Sequence, residues 1–285
     1  MTVALASPPL LNLVGAGRVG RTLARLWQRA GVVQVQAVLA RQPESAAQAV
    51  AVIGAGRAVD RLAALPPAEL WLLAVPDSQI ASVAAALAAA GTTPAIAWHA
   101  SGFLPASEAA PLQAAGWSVA STHPALSFAD VDQACAQFPG TLCALEGDAA
   151  AVERARDAFR AIGGQCVDLA AADKPLYHAA AVFASNFAPV LQAVAAGLWR
   201  DVGLPAERAE ALAAGFLQRA AANLQALGPR GALTGPAARG DTRVLAEQGA
   251  ALAAHDPVLG QAYAALSELA GRLARDGHTG GPRQN

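Results

Sequence analysis

An apolar run, Leu10 to Val14, leads directly into Gly15-x-Gly17-x-x-Gly20, and the glycines open a segment in which Leu23, Leu26 and Trp27 recur at helical spacing. Few folds are open to a chain with this strand, glycine turn and helix in succession. Gly15 permits the tight strand-to-helix turn, Gly17 lets the backbone approach a pyrophosphate, and Gly20 lets the helix lie close on the strand. Arg18 and Val19 fill the loop between the last two glycines. Free N–H groups at the positive end of the helix would hold the phosphates. Glycine triplets arise by chance in a chain rich in Gly, Ala and Val. The strand before this one and the helix after it make a dinucleotide site the expected reading.

The next strand, residues 32–40, ends in Ala40-Arg41-Gln42, with Ser45 close behind. A site for NAD usually has Asp or Glu there, to hold the ribose hydroxyls. A guanidinium instead suits a 2′-phosphate, with which it makes paired charge-assisted hydrogen bonds. Arg18 adds a second positive charge. The plainer reading of Arg41 is a solvated loop cation; the missing acid favours NADP over NAD.

Alternation continues downstream. Residues 44–52 read as an Ala-rich helix, followed by an irregular link through Gly54 and Gly56. A buried strand, LWLLAVPDS, ends at Val75-Pro76, and a helix follows from Ser78 to Ala90. PAIAWHASG ends at His99 to Gly102, a helix spans Ala106 to Ala115, and WSVASTHP ends at His123-Pro124. GTLCALEGD, a helix from Ala149 to Ile162, and QCVDLA add a further unit to the sheet. Strands and helices alternating in this way indicate an α/β fold with a doubly wound parallel sheet. Beyond Asp173 the pattern is helical only, in runs from Lys174 to Val202, Pro205 to Leu227, Asp241 to Ala254 and Pro257 to Arg275. Two domains follow, residues 1–170 and 171–285, the second all-helical.

The chain has 285 residues, of which 54% are hydrophobic and 14% charged, ample for a core of this kind. A net charge of −1 without basic runs argues against a nucleic-acid partner. No uncharged stretch has the character of a membrane helix; Ile80 to Ile96 comes closest and is broken by Gly91 and Pro94. Residues 1–9 lack the features of a signal peptide and read as a short disordered lead, as does the tail from Gly277. Cys135, Cys143 and Cys166 form no C-x-x-C pair, so reduced thiols in a cytoplasmic protein are expected.

Ligands of a parallel sheet bind at the carboxyl ends of its strands. That rule gathers the glycine loop, Val75, Pro76, Asp77-Ser78, His99-x-Ser101-Gly102 and His123 on one edge. A third histidine, His178, lies in DKPLYHAAAVFASN with Lys174, Ser185 and Asn186. Helical spacing puts His178, Ser185 and Asn186 near one face, with Lys174 one turn before them. A single His at a strand end is more often structural than catalytic. Asn186 in an apolar helix is costly to bury alone and so calls for a partner or ligand. Three histidines could instead bind zinc, but no HxxxH or His–Cys spacing supports a metal. In ALTGPAARGD, Thr234-Gly235-Pro236 makes a turn, Asp241 reads as a helix N-cap, and Arg239 reads equally as an anion-binding loop residue.

The glycine loop, HASG, STHP, YHAAAVFASN and ALTGPAARGD, in this order, resemble an uncharacterised family in which a Rossmann-like NADP oxidoreductase domain precedes a helical domain of unknown function. Its fold is similar to pyrroline-5-carboxylate reductase and deazaflavin-dependent NADP oxidoreductase. The resemblance spans residues 10–275 and implies NADP binding, a homodimer formed through the helical domain, and a substrate pocket between the domains. It supplies no reaction. The substrate loop of pyrroline-5-carboxylate reductase is missing, which argues against proline synthesis. Lys174 and Asn186 lack the Lys-to-Asn spacing of four found in hydroxyacid dehydrogenases, so their catalytic lysine does not carry over.

The expectation is an NADP-dependent oxidoreductase acting on a small carbonyl or imine. His178 is the candidate acid, since an imidazole titrates near neutral pH. Asn186 holds the substrate, His99 and Ser101 flank the nicotinamide, and His123 completes the group. Lys174, Ser185, Thr234 and Arg239 are the further substrate candidates. The alternative is a non-catalytic NADP-binding sensor or interaction protein.

Overall fold

The computed structural model describes residues 7–280. Most of the expected lead, and the end of the expected tail, lie outside them. The chain divides into two compact units, residues 1–187 and 188–285.

In the first unit strands and helices alternate. They are β1 (Leu10–Val14), α1 (Arg18–Arg29), β2 (Gln34–Leu39), α2 (Pro43–Ile53), β3 (Arg57–Val59), β4 (Leu70–Leu73), α3 (Ile80–Ala89) and β5 (Ile96–His99). Then come α4 (Ala110–Ala114), β6 (Ser118–Pro124), α5 (Val131–Gln137), β7 (Leu142–Gly147), α6 (Ala149–Arg160) and β8 (Gln165–Asp168). The eight strands form one sheet in the order β3-β2-β1-β4-β5-β6-β7-β8. Every neighbouring pair is parallel except β6–β7. The order reverses between β1 and β4, which places a crevice at their carboxyl ends.

Both faces of the sheet are covered, so β4, at its centre, is apolar at every position rather than at alternate ones. In β4, Leu70 and Leu72 join a core with Leu11, Leu13, Trp27 and Trp98 on one face, while Trp71 and Leu73 join Val14, Leu87, Leu112 and Trp117 on the other. Two buried indoles find acceptors on one helix: the Nε1–H groups of Trp27 and Trp98 donate to the carbonyls of Ala158 and Ala151, each at 3.0 Å.

Three features depart from the sequence expectation. The link through Gly54 and Gly56 contains β3, a three-residue edge strand. An unforeseen short helix, α5, begins where the Asp130 carboxylate accepts from Gln133 N–H at 2.9 Å. The unit made by β7, α6 and β8 does extend the sheet, but in reverse, because the chain turns back beside β6 and Ala125 N–H donates to Leu142 O at 2.8 Å.

After β8 comes α7 (Lys174–Ala181), which runs through a wide π-helical turn, Val182–Asn186, into α8 (Phe187–Asp201). The compact unit therefore extends past residue 170, because α7 begins with Lys174 fully buried in it. The second unit continues with α9 (Ala206–Ala232), α10 (Pro236–Arg239), α11 (Thr242–His255) and α12 (Pro257–Asp276). The helix after Pro205 breaks where expected, at Gly228, whose φ of 68° and ψ of 172° are non-helical. Asp241 is an N-cap, accepting from Val244 N–H at 3.2 Å.

The helical run Ala171–Asp201, 31 residues, is long and apolar enough by composition to cross a membrane, and little of it is buried in this chain. The sequence reading named Ile80 to Ile96 as the closest stretch and overlooked this one.

Candidate functional site

The glycine loop sits at the point where the strand order reverses. Gly15 has φ 101°, and a Cβ there would stand 2.4 Å from Ala74 O. At Gly20 a Cβ would lie 2.7 Å from Gly15 O and 2.8 Å from Ala74 Cβ, so α1 lies on the sheet only because that side chain is absent. Gly17 differs. Its backbone, φ −71° and ψ 174°, suits any residue, and the nearest atom to a Cβ would be Ala74 O at 3.9 Å. Packing demands glycine at positions 15 and 20 and makes no demand at 17. Gly17 is also the N-cap of α1, has no side chain to cap it, and no acid stands in the first turn. The first N–H groups of α1 are uncapped and face free space, an arrangement suited to an anion.

That space is a cavity of about 290 Å³, lined by Gly15, Gly17, Arg41, Gln42, Ser45, Val75 and Pro76 among others. Five of the nine residues expected to bind a cofactor thus surround one cavity. Of the rest, Arg18 is exposed at the start of α1, Val19 packs against the core and Gly20 lies beneath the loop. Ser101 lies elsewhere. Arg21, which the sequence reading did not single out, fastens the loop by donating to Ala16 O at 2.6 Å and to Ser45 O at 3.2 Å.

A second polar group gathers around Ser101-Gly102. The Ser101 hydroxyl donates to the Asp77 carboxylate at 2.8 Å and accepts from the N–H groups of Phe103 and Leu104, at 3.2 and 2.8 Å. It is engaged in shaping its own turn. Gly102 is the floor on which two imidazoles rest. A Cβ there would stand 2.5 Å from His178 Nδ1 and 2.8 Å from His123 Nε2. The two rings meet edge to face, 5.6 Å between centroids. His123 Nδ1 is 3.0 Å from the hydroxyl of Tyr177. Burial and the charges of His178 and Lys174 push His123 down to about 4. His178 Nδ1 is buried without a hydrogen-bond partner, unusual for a native polar atom and in need of a reason.

Two of the three expected histidines therefore meet, and the third does not join them. His99 is buried, with Nε2 3.1 Å from Pro105 O and Nδ1 accepting from Ser101 N–H at 3.4 Å. Desolvation lowers it to about 4, so it is a neutral, structurally engaged ring with no nitrogen for a substrate. The plainer reading of a strand-end histidine prevails there.

Lys174 is likewise removed from contact with substrate. It is fully buried, its Nζ donating to Ser121 Oγ at 2.7 Å and to Ser101 O at 3.3 Å, and desolvation lowers its pKa. Asn186 is exposed rather than buried, and Ser185 Oγ lies 2.9 Å from both Asn186 Oδ1 and Ala181 O, which compete for its one proton. The burial argument for Asn186 fails in this chain because the apolar helix around it is itself uncovered. Thr234 and Arg239 belong to the second unit, where Gly235, with φ 97°, starts α10 and Arg239 ends it. Sequence reasoning missed Tyr177; its place beside His178 and three residues after Lys174 was the available signal. Among the described residues, no group of three or more His, Cys, Asp or Glu is arranged to hold a metal ion.

Comparison with protein families matches residues 7–124 to a Rossmann-like domain and residues 141–270 to a domain of unknown function, DUF2520. No curated protein matches the chain. Among solved structures, a protein of Thermotoga maritima is 26% identical with a TM-score of 0.73, over 94% of this chain and 99% of its own. A Bacteroides fragilis protein named for NADP oxidoreductase activity is 24% identical, with a TM-score of 0.75, over 93% of this chain and 99% of its own. A pyrroline-5-carboxylate reductase of Streptococcus pyogenes shares the fold at 14% identity and a TM-score of 0.63, over 94% of this chain and all of its own. The chain thus carries a Rossmann-like domain followed by a DUF2520 domain, the domain order of the family its motifs resemble.

Proposed function

We propose that the protein is an NADP-dependent oxidoreductase acting on a small carbonyl or imine. The observation that carries this reading is Gly17, a glycine that protein packing does not require, at an uncapped helix N-terminus over a cavity that reaches Arg41. A pyrophosphate on the first turn of α1 needs that missing side chain. Arg41, Gln42 and Ser45 at the other end of the cavity suit a 2′-phosphate. The nicotinamide, when bound, supplies or takes the hydride; the protein's part is orientation and electrostatics. The names of the Bacteroides fragilis and Streptococcus pyogenes proteins agree with the reading.

We infer that His178 faces the reacting oxygen or nitrogen and orients it through a hydrogen bond. Its Nδ1 is buried against Gly102, which leaves Nε2 as the nitrogen able to face a ligand. His123 and Tyr177 stand beside it. Ionisable groups gathered in one place, His178 with His123 and Tyr177, favour a catalyst over a non-catalytic sensor, whose pocket would need no ionisable donor.

Fluorescence titration tests the cofactor. NADPH is expected to bind more tightly than NADH, and Arg41→Ala to remove about tenfold or more of that preference. Equal affinities in the unaltered protein would overturn the NADP assignment. His178→Ala is expected to lower turnover of a responsive substrate by about two to four orders of magnitude with NADPH affinity unchanged. A normal rate would remove His178 from the site.

A further inference from the structure

We propose that Tyr177 is the catalytic residue that exchanges a proton with the substrate's oxygen or nitrogen, and that His123 holds its hydroxyl for that task. The proposal rests on the oxidoreductase reading and adds the group that completes the proton half of the reaction.

The geometry is specific. The Tyr177 hydroxyl is 3.0 Å from His123 Nδ1, and the two rings stand edge to face at 89°, 5.5 Å between centroids. His123 cannot swing away, because its opposite edge lies on Gly102 and on the His178 ring. Tyr177 itself is only half-buried, so a ligand can reach it. A phenol, an imidazole that fixes it and a second imidazole beside them thus occupy one corner of the site.

Protonation decides which of them gives the proton. The groups that act on His123 are His178 and Lys174 from α7 and Asp77 from the loop after β4. With its value near 4, His123 is neutral at neutral pH and has no extra proton to donate. Burial pushes the Tyr177 phenol up, so it keeps its proton in the same range. A neutral imidazole carries its proton on one nitrogen; with that proton on Nδ1 the ring donates to the Tyr177 oxygen and leaves the phenolic O–H free for the substrate, which is the arrangement the proposal requires. A phenol is a far stronger acid than a neutral imidazole N–H, so Tyr177 is the member of the pair able to protonate an alkoxide. When hydride reaches a carbonyl carbon, the C=O electron pair moves onto oxygen. That oxygen forms a bond to the Tyr177 proton as the phenolic O–H breaks, and the phenolate recovers a proton from water. In the oxidation direction the same phenolate accepts the alcohol's proton.

Nitrogen-15 NMR of the histidines in wild type and Tyr177→Phe tests the pairing without any substrate. His123 Nδ1 is expected as a protonated nitrogen hydrogen-bonded to the phenol, moving to a free N–H shift in the variant while the fold is retained. With only two tyrosines in the chain, Tyr177 and Tyr263, the phenolate absorbance of Tyr177 is the component lost in the variant. NADPH oxidation is then followed on small ketones, 2-oxo acids and cyclic imines. Tyr177→Phe is expected to lose about 100-fold or more in turnover with NADPH affinity unchanged. Wild-type turnover that survives in the variant within about threefold would overturn the role of Tyr177 and leave the oxidoreductase reading standing. No wild-type turnover on any compound would overturn both. An unprotonated His123 Nδ1 would mean that Tyr177 gives its one proton to the ring, and would end the proposal by itself.

Discussion

At His99 the folded chain holds an imidazole neutral between a carbonyl and an amide, and pH makes that visible. Its folded value is about 4 against an ordinary 6.5, with desolvation the main cause. Between those values the unfolded chain binds a proton that the folded one refuses. Stability is thus full above about pH 6.5, falls as pH drops towards 4, and levels off below, at about 1.4 kcal/mol per pH unit for a fully buried group. His123, only partly buried, adds a smaller term of the same sign. Urea midpoints between about pH 7 and pH 4.5 are expected to fall steeply in wild type and less steeply in His99→Phe, whatever the baseline cost of that change. An unaltered slope would remove His99 as the source. The sequence placed His99, His123 and His178 near one edge, and burial then separated them. Two rings share Gly102, while the third sits on the far side of the Ser101 amide. One-dimensional spacing cannot report which nitrogens the backbone has claimed. For the same reason it assigned Lys174 to substrate, when three dimensions place the ammonium on Ser121 and Ser101.

At the scale of elements, the turn between β1 and α1 was legible residue by residue, because each glycine answers a separate steric question. The tasks can be told apart by experiment. Gly20→Ala forces a Cβ within 2.8 Å of Ala74 Cβ and within 2.7 Å of Gly15 O, an overpacking that is expected to cost about 1–3 kcal/mol. Gly17→Ala meets nothing nearer than 3.9 Å and is expected to leave the thermal midpoint unchanged while weakening dinucleotide binding. Thermal melts with and without NADPH check both; a Gly17→Ala protein that melts early and binds normally would contradict the assignment. Other elements were hidden. β3 is three residues long, too short for alternation to register. The wide turn at Val182–Asn186 leaves no mark in an apolar run whose helical spacing looks continuous. The reversal of β7 depends on a turn, not on the strand's own composition.

For the whole molecule, the change from alternating strands to helices alone announced two domains near residue 170, whereas the compact units divide at 187 and the DUF2520 match begins at 141, ahead of the last two strands of the sheet. Self-association was implied by the resemblance and by about 110 residues of Ala- and Leu-rich helix, more apolar surface than one small bundle buries. The second unit buries little: Ala196, Ala209 and Ala213 make its core, while Phe216 and Leu224 stand about half exposed and Leu227 and Val258 more so. Isolated apolar side chains on a surface are ordinary, but so many on one small helical unit are not. We propose that these helices form a homodimer. Light scattering at micromolar concentration is expected to give twice the chain mass of 28.6 kDa, and Phe216→Glu with Leu224→Glu to return it to a monomer. A monomeric wild type would overturn the proposal.

The open space before Gly17 also bears on how this protein can change over generations. A population held only to the requirement of folding has no reason to keep a glycine there, since any side chain fits the backbone and touches little. The same population is bound to keep Gly15 and Gly20. Drift at position 17 while its two neighbours stand still would therefore be an early record of a lineage that has stopped using its dinucleotide while remaining well folded.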